Sequence, residues 1–251
     1  MNLRIGSRVF APGWVASLIT LALLPGLISL GFWQLRRAQE KRDLMMQAEQ
    51  GRQQLLSLDA ASIDRANRYQ HVSVKGHYDN AHQILLDNMP STDPPRQGQP
   101  GFRVLTPLIP DTAANQSIIL VDRGWVSLMA ERKQLPEITV DEQSREVRGL
   151  LDELPQPGVR AGDAGIKENS WPQVLNYPKA DELRRLYGDG LATHIILLDA
   201  DIADGYERTW QINLGFTPER HIAYAVQWFG LAITLLIIYV VVNLKRLDTA
   251  H

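Results

Sequence analysis

The sequence contains no cysteine. That absence removes disulfides, thiolate metal sites, cysteine nucleophiles and haem attached through the C-x-x-C-H pattern. It leaves the compartment open, because an oxidising space permits disulfides without requiring them. There is also no excess of positive charge: 26 Lys and Arg stand against 28 Asp and Glu, for a formal net charge of -2. A nucleic-acid partner is therefore not expected, since phosphate neutralisation needs a basic face. The patterns G-x-G-x-x-G, G-x-S-x-G and H-E-x-x-H and the P-loop are missing, so the common nucleotide, hydrolase and zinc signatures are not available. The missing signatures argue against an enzyme.

Charge itself is missing from two stretches. Between Arg8 and Arg36 lie 27 residues without a charged side chain, more than the ~20 that cross a bilayer. Pro25-Gly26 would kink this run, which neighbouring groups in a membrane can accommodate. A cleaved signal peptide is the competing reading, but the stretch exceeds the usual ~7 to 15 apolar residues and lacks an A-x-A-like exit. The second run, Ile222 to Leu244, has 23 residues without a charge and is closed by Lys245 and Arg246. Phe32 and Trp33 form an aromatic belt where the first span ends, and Arg36 and Arg37 can snorkel to the headgroups. Arg4, Arg8, Lys245 and Arg246 favour cytoplasmic termini, whereas Arg36, Arg37, Lys41 and Arg42 pull the other way. Loops longer than about 60 residues translocate largely regardless of charge, so the expectation is an exported central domain.

The middle has the mixed composition of a soluble domain. Leu35 to Leu56 is rich in helix formers and lacks Pro, which predicts that the first span continues as a polar arm to about Gly51. Beyond it, Tyr69–Tyr78, Gln83–Asn88, Phe102–Ile109, Ser117–Val121, Glu146–Leu151 and His194–Asp199 read as strands separated by turn residues. His77 to His82 reads as the reversal of a hairpin, and Lys179 to Tyr187 as a helix that Gly188 stops. Pro90–Pro100 and Pro155–Gly165 are expected to be surface loops. The fold class expected is an α+β membrane protein, with N- and C-terminal transmembrane helices flanking a mostly antiparallel sheet or small open barrel that carries one or two short helices. Its expected divisions are a cytoplasmic N-terminus (1–8), transmembrane helix 1 (9–35), a juxtamembrane helix (36–56), the exported globular α+β domain (57–220), transmembrane helix 2 (221–244) and a cytoplasmic tail (245–251).

Few side chains suggest chemistry. Asp87, Asp122 and Asp199 each follow an apolar strand run, where a pair could act as a carboxylate dyad, but strand-end solvation is the plainer account. His71 and His77 share strand parity, and His77 with His82 would offer a metal only two ligands, too few for a good site. His221 differs, because it stands where the second span begins. A membrane-edge imidazole can ligate haem iron while the apolar macrocycle stays out of water; contacting headgroups or capping the helix is the alternative role.

The boundaries carry recognisable blocks: Gly31-Phe32-Trp33-Gln34-Leu35-Arg36-Arg37 with Lys41, and His221, Tyr224, Ala225, Trp228 and Phe229. Between them stand Gly76-His77-Tyr78, Leu86-Asp87-Asn88, Gly101 to Leu108 (GFRVLTPL) and Val121-Asp122-Arg123-Gly124-Trp125-Val126. In this order the chain resembles the Surfeit-locus-one family of cytochrome oxidase assembly factors over nearly its whole length. It departs from the family's common Asn at Asp122, Pro at Ser127 and Asn at Arg220. The resemblance implies assistance in inserting haem a into the catalytic subunit of a haem-copper terminal oxidase, with His221 as candidate axial ligand and Tyr224 and Trp228 as candidate pocket residues. No metal beyond that haem iron is expected. In a scaffold role without cofactor, Trp33, Gln34, Arg37, Arg123, Gly124 and Trp125 are the candidate structural or partner-contact residues. The partners the resemblance implies are oxidase subunits, membrane lipid and haem a synthesis enzymes. The leader before the first span lacks an organelle transit peptide, which points to a bacterial inner membrane with a periplasmic central domain. A cofactor-free scaffold is the alternative function, and a membrane-tethered hydrolase using the strand-end aspartates ranks last.

Overall fold

The computed structural model describes residues 3–5, 8–58, 62–112, 117–129, 134–157, 162–210 and 216–246. Residues 158–161 of the expected Pro155–Gly165 loop, and residues 247–251 of the expected tail, lie outside the described residues. In chain order the elements are β1 (Leu3–Ile5), β2 (Arg8–Phe10), α1 (Trp14–Gln53), β3 (Leu56–Ser57), β4 (His71–Tyr78), β5 (Ile84–Pro90), β6 (Pro100–Pro110), β7 (Ile118–Ser127), β8 (Arg145–Asp152), β9 (Gln173–Leu175), α2 (Ala180–Tyr187), β10 (Leu191–Leu198), α3 (Pro218–Asn243) and β11 (Leu244–Arg246). The chain divides into two compact units: Met1–Met46 with Asn213–His251, and Gln47–Ile212.

The second unit is built on a barrel-like sheet, as the strand pattern predicts. Strands β4, β8, β10, β7 and β6 follow one another in the sheet, and β4 pairs with β6 to close it. Only β10 and β7 run parallel among these five pairings. Alternate residues of one strand enter different cores: Ile119, Val121, Ile196 and Leu198 share a cluster with Val72, Val74 and Val147, whereas Leu120, Ile195 and Leu197 pack with Leu183 of α2. Burial on both faces explains why β7 and β10 read as unbroken apolar runs. Helix α2 starts where the Lys179 backbone N–H donates to Glu182 Oε2 at 2.8 Å and stops at Gly188, whose φ of 84° suits glycine.

Two local expectations are corrected. His77–His82 does not join a hairpin, because β4 and β5 are not paired with each other. The 11-residue β6 is long enough to serve both: Leu105–Pro100 pairs with β5, and Leu108–Pro110 pairs with Tyr78–Gly76. The turn is instead shaped by Asp79 Oδ1, which accepts the N–H groups of Ala81 and His82. Nor does the strand expected over Ser117–Val121 end at Val121. Strand β7 continues to Ser127 through a bulge, with Arg123 and Gly124 opposed to Val104 alone. Gly124 has φ 114°, and a Cβ there would lie 2.6 Å from Glu207 O.

The first unit is a pair of apolar helices and a three-stranded sheet, β1-β2-β11. Both helices are long and apolar enough to cross a membrane, with best windows of mean hydropathy 2.1 and 2.3. Their apolar side chains mostly point outward, which fits a membrane protein. The pair is antiparallel. Near the start of α1, Gly13 N–H donates to Asn243 Oδ1 at 2.8 Å and Ser17 Oγ lies 2.8 Å from Tyr239 Oη. About three turns from Tyr239 toward the start of α3, Phe229 packs edge-on against Phe32 at 5.4 Å. Gly31 makes room for it, since a Cβ there would overlap the Phe229 ring.

Candidate functional site

In the first unit the buried side of α1 runs through Gly31, Gln34 and Ala38, and that of α3 through His221, Ala225 and Ala232. Spacings of three, four and seven residues put each set on one helical face. Both faces are small-residue surfaces interrupted by one long polar side chain, and those two side chains meet: His221 Nδ1 lies 2.7 Å from Gln34 Oε1. His221 is 8% exposed and Gln34 9%.

An amide oxygen can only accept, so Nδ1 carries the proton and donates it. In the neutral ring this leaves the Nε2 lone pair unprotonated. Nε2 has no hydrogen-bond partner among the described residues, and the Phe216 ring approaches the imidazole edge-on at 6.2 Å. A nearly buried imidazole anchored at Nδ1, with no partner for Nε2 among the described residues, is the donor a single axial haem ligand requires, so these residues fit a haem. They do not form a multi-ligand metal site: no group of three or more His, Cys, Asp and Glu suited to a metal occurs among the described residues.

The other residues singled out in the sequence fall in several places. Trp228 is half-buried two turns along α3 from His221 on the same face, while Tyr224 is exposed on its flank. Trp33 is exposed, with the Arg37 guanidinium 5.9 Å from its ring, and Arg37 also pairs with Glu40 at 2.8 Å. Arg123, Gly124 and Trp125 belong to the barrel unit. Arg123 is buried and donates through Nε to Asp204 O at 2.7 Å and through Nη1 to Ile138 O at 3.0 Å, Gln83 Oε1 at 3.2 Å and Thr106 Oγ1 at 3.3 Å. Burial lowers its pKa from the ordinary arginine value, against the pull of Tyr206 and Tyr78 beside it. Trp125 Nε1–H donates to Met89 O at 2.8 Å.

The strand-end aspartates are each engaged elsewhere. Asp122 is fully buried: Oδ1 accepts Gly124 N–H at 3.0 Å, while the Arg103 guanidinium closes on Oδ2 as a charge partner without the alignment of a hydrogen bond. Desolvation nevertheless raises the Asp122 pKa, Arg103 offsetting only part of it. Asp199 pairs with His71 Nε2 at 2.6 Å, and Asp87 Oδ1 accepts Asn88 N–H at 2.7 Å. His77 and His82 do not come together, His82 pairing with Asp79 at 2.7 Å and His77 lying 4.0 Å from Asp111.

Sequence comparison matches residues 21–233 to the family model described as SURF1 family. The chain belongs to the SURF1 family. It is similar to a SURF1-like protein of Rickettsia felis, with 30% identity over 229 residues, 90% of this chain and 95% of that one. Similarity to a SURF1-like protein of Rickettsia conorii is 27% over 218 residues, 86% and 85% of the two chains. Surfeit locus protein 1 of Xenopus tropicalis is 29% identical over 240 residues, 87% of this chain and 71% of its own length. The matched SURF1 region includes both Gln34 and His221. Their contact had no sequence signal, because the two residues stand 187 positions apart. Phe216, and the acceptors Gln83 and Thr106 around Arg123, went unnoticed for the same reason.

Proposed function

We propose that this SURF1 family member is an assembly factor for a haem-copper terminal oxidase, holding haem a through His221 before its delivery to the catalytic subunit. The observation that carries this reading is the His221 imidazole, nearly buried where the second apolar helix begins, with Nδ1 anchored and Nε2 without a partner among the described residues. Haem a, when bound, supplies an iron that accepts the imidazole lone pair. Tyr224 and Trp228 offer aromatic surface to the macrocycle on the same stretch of α3. One axial ligand with no covalent tether permits hand-over, and no bond change in a substrate belongs to this role. The proposed setting is a bacterial inner membrane, with both termini cytoplasmic, the barrel unit periplasmic, and oxidase subunits, lipid and haem a synthesis enzymes as partners.

The test is the haem content of the purified full chain, co-produced with haem a in detergent, against the His221→Ala variant. Loss of the haem absorption band in a variant whose circular dichroism is unchanged is expected; equal haem in both would remove the ligand assignment.

A cofactor-free scaffold is the second reading, favoured by exposed Trp33 with Arg37 stacked on it, a surface suited to a partner protein. Under it, His221→Ala would still pull down oxidase subunits in normal amount.

A further inference from the structure

We propose that Gln34 is the positioning residue for His221, fixing which imidazole nitrogen faces the cofactor and setting how firmly iron is held. This rests on the haem reading above and names a second residue of that site. The contact is a built one. Gln34 and His221 are both about nine-tenths buried, each on the face its helix turns toward the other, and their 2.7 Å separation is that of a well-made hydrogen bond. Gln34 is the only buried polar residue of α1 between Thr20 and Gln53 among the described residues. The neighbouring buried positions, Gly31 and Ala38, are small. One turn away, the Phe229 ring of α3 packs against Gly31, which has no side chain to obstruct it.

Three consequences follow from the chemistry of an amide acceptor. Its oxygen selects the Nδ1–H tautomer, presenting Nε2 as the ligating atom. It also pins the ring against rotation about the Cβ–Cγ bond, so the lone pair has one direction. Finally, the acceptor is neutral. A carboxylate in this place would draw the Nδ1 proton harder and make Nε2 a stronger donor to iron, tightening attachment. An amide gives direction with less push, which suits a protein that must release its cofactor. Histidine held by glutamine is thus matched to transient binding, and residue 34 is where retention is tuned.

The experiment uses the full chain in detergent with 15N-labelled histidine, the His221 signals being those lost in His221→Ala. In the cofactor-free protein, at a pH above the imidazole range, the wild type should show a protonated Nδ1 and a bare Nε2. Gln34→Leu should shift His221 toward the Nε2–H tautomer. Ferrous haem a titrated into the same samples should bind about 10- to 100-fold more weakly to Gln34→Leu. Gln34→Glu keeps the acceptor and adds charge; it should restore or exceed wild-type affinity, slow release, and raise the iron–histidine stretching frequency in resonance Raman spectra. A residue that only packed the helices would not move that frequency and would not be rescued by Glu. Wild-type tautomer, affinity and frequency in Gln34→Leu would overturn the proposal. So would an Nε2-protonated His221 in the wild type. If the wild type binds no haem, the cofactor reading fails separately, and the tautomer measurement still decides whether Gln34 orients the ring.

Discussion

In the barrel unit the buried guanidinium of Arg123 gathers four acceptors around itself. In the helix pair, polar side chains are few and meet across the two helices one contact at a time: Gln34 with His221, and Ser17 with Tyr239. The difference follows from what surrounds each unit. A barrel core is closed by its own strands, so a buried charge there must be satisfied from every side at once. Lipid leaves apolar side chains at ease on the outside, so the helix pair needs polar contacts only along one seam. Each kind of contact therefore has a different worth. Removing Arg123 from the barrel takes four hydrogen bonds out of one connected network, whereas removing a side chain from the seam breaks a single contact.

Substitutions can break or sharpen that contrast. The largest expected effect is Arg123→Met, which leaves the Asp204 carbonyl without its donor and takes one of two donors from Gln83 Oε1, still held by Thr106, and from Ile138 O, still held by Gln83 Nε2. Destabilisation of the barrel unit by about 3 to 5 kcal/mol is expected, read as the urea midpoint of the full chain in detergent. Gly124→Ala should follow at about 2 kcal/mol, from the positive φ and the approach to Glu207 O. Asp122→Asn sharpens the comparison through pH. The folded-state pKa of Asp122 is raised, so the native protein takes up a proton that the unfolded chain takes up only at lower pH. Wild type should therefore gain stability relative to the variant as pH falls from neutral toward the ordinary carboxylate range. A constant gap would contradict the buried charge. Tyr239→Phe, which removes the Ser17 contact in the seam, should cost about 0.6 kcal/mol. Should it rival Arg123→Met, the two units would not differ as described.

Much of this arrangement could be read from residue order. The charge-free runs located both apolar helices, and the β-rich segments located six strands, because burial on both faces leaves long apolar stretches such as Ile118–Val121 and Ile195–Leu198. What escaped was whatever depends on distant partners. Asp122, Arg123 and Gly124 read as the end of a strand because polar residues usually mark one. Here Asp204 O, Gln83 and Ile138 O satisfy the arginine inside, so β7 runs on. The pairing of β5 with β6 rather than β4 was hidden by the length of β6. At the candidate site His221 stood out by its position, and Gln34 only as part of a recognisable block. Their hydrogen bond is a product of helix packing that no local pattern encodes.

The measurement that tests the account most directly is the reduced-minus-oxidised spectrum and oxidase activity of membranes from a strain deleted for this gene, beside the complemented strain. The account predicts that haem a absorbance and oxidase activity fall together on deletion and return with the wild-type gene. Unchanged spectrum and activity, under conditions where the oxidase is expressed, would contradict it.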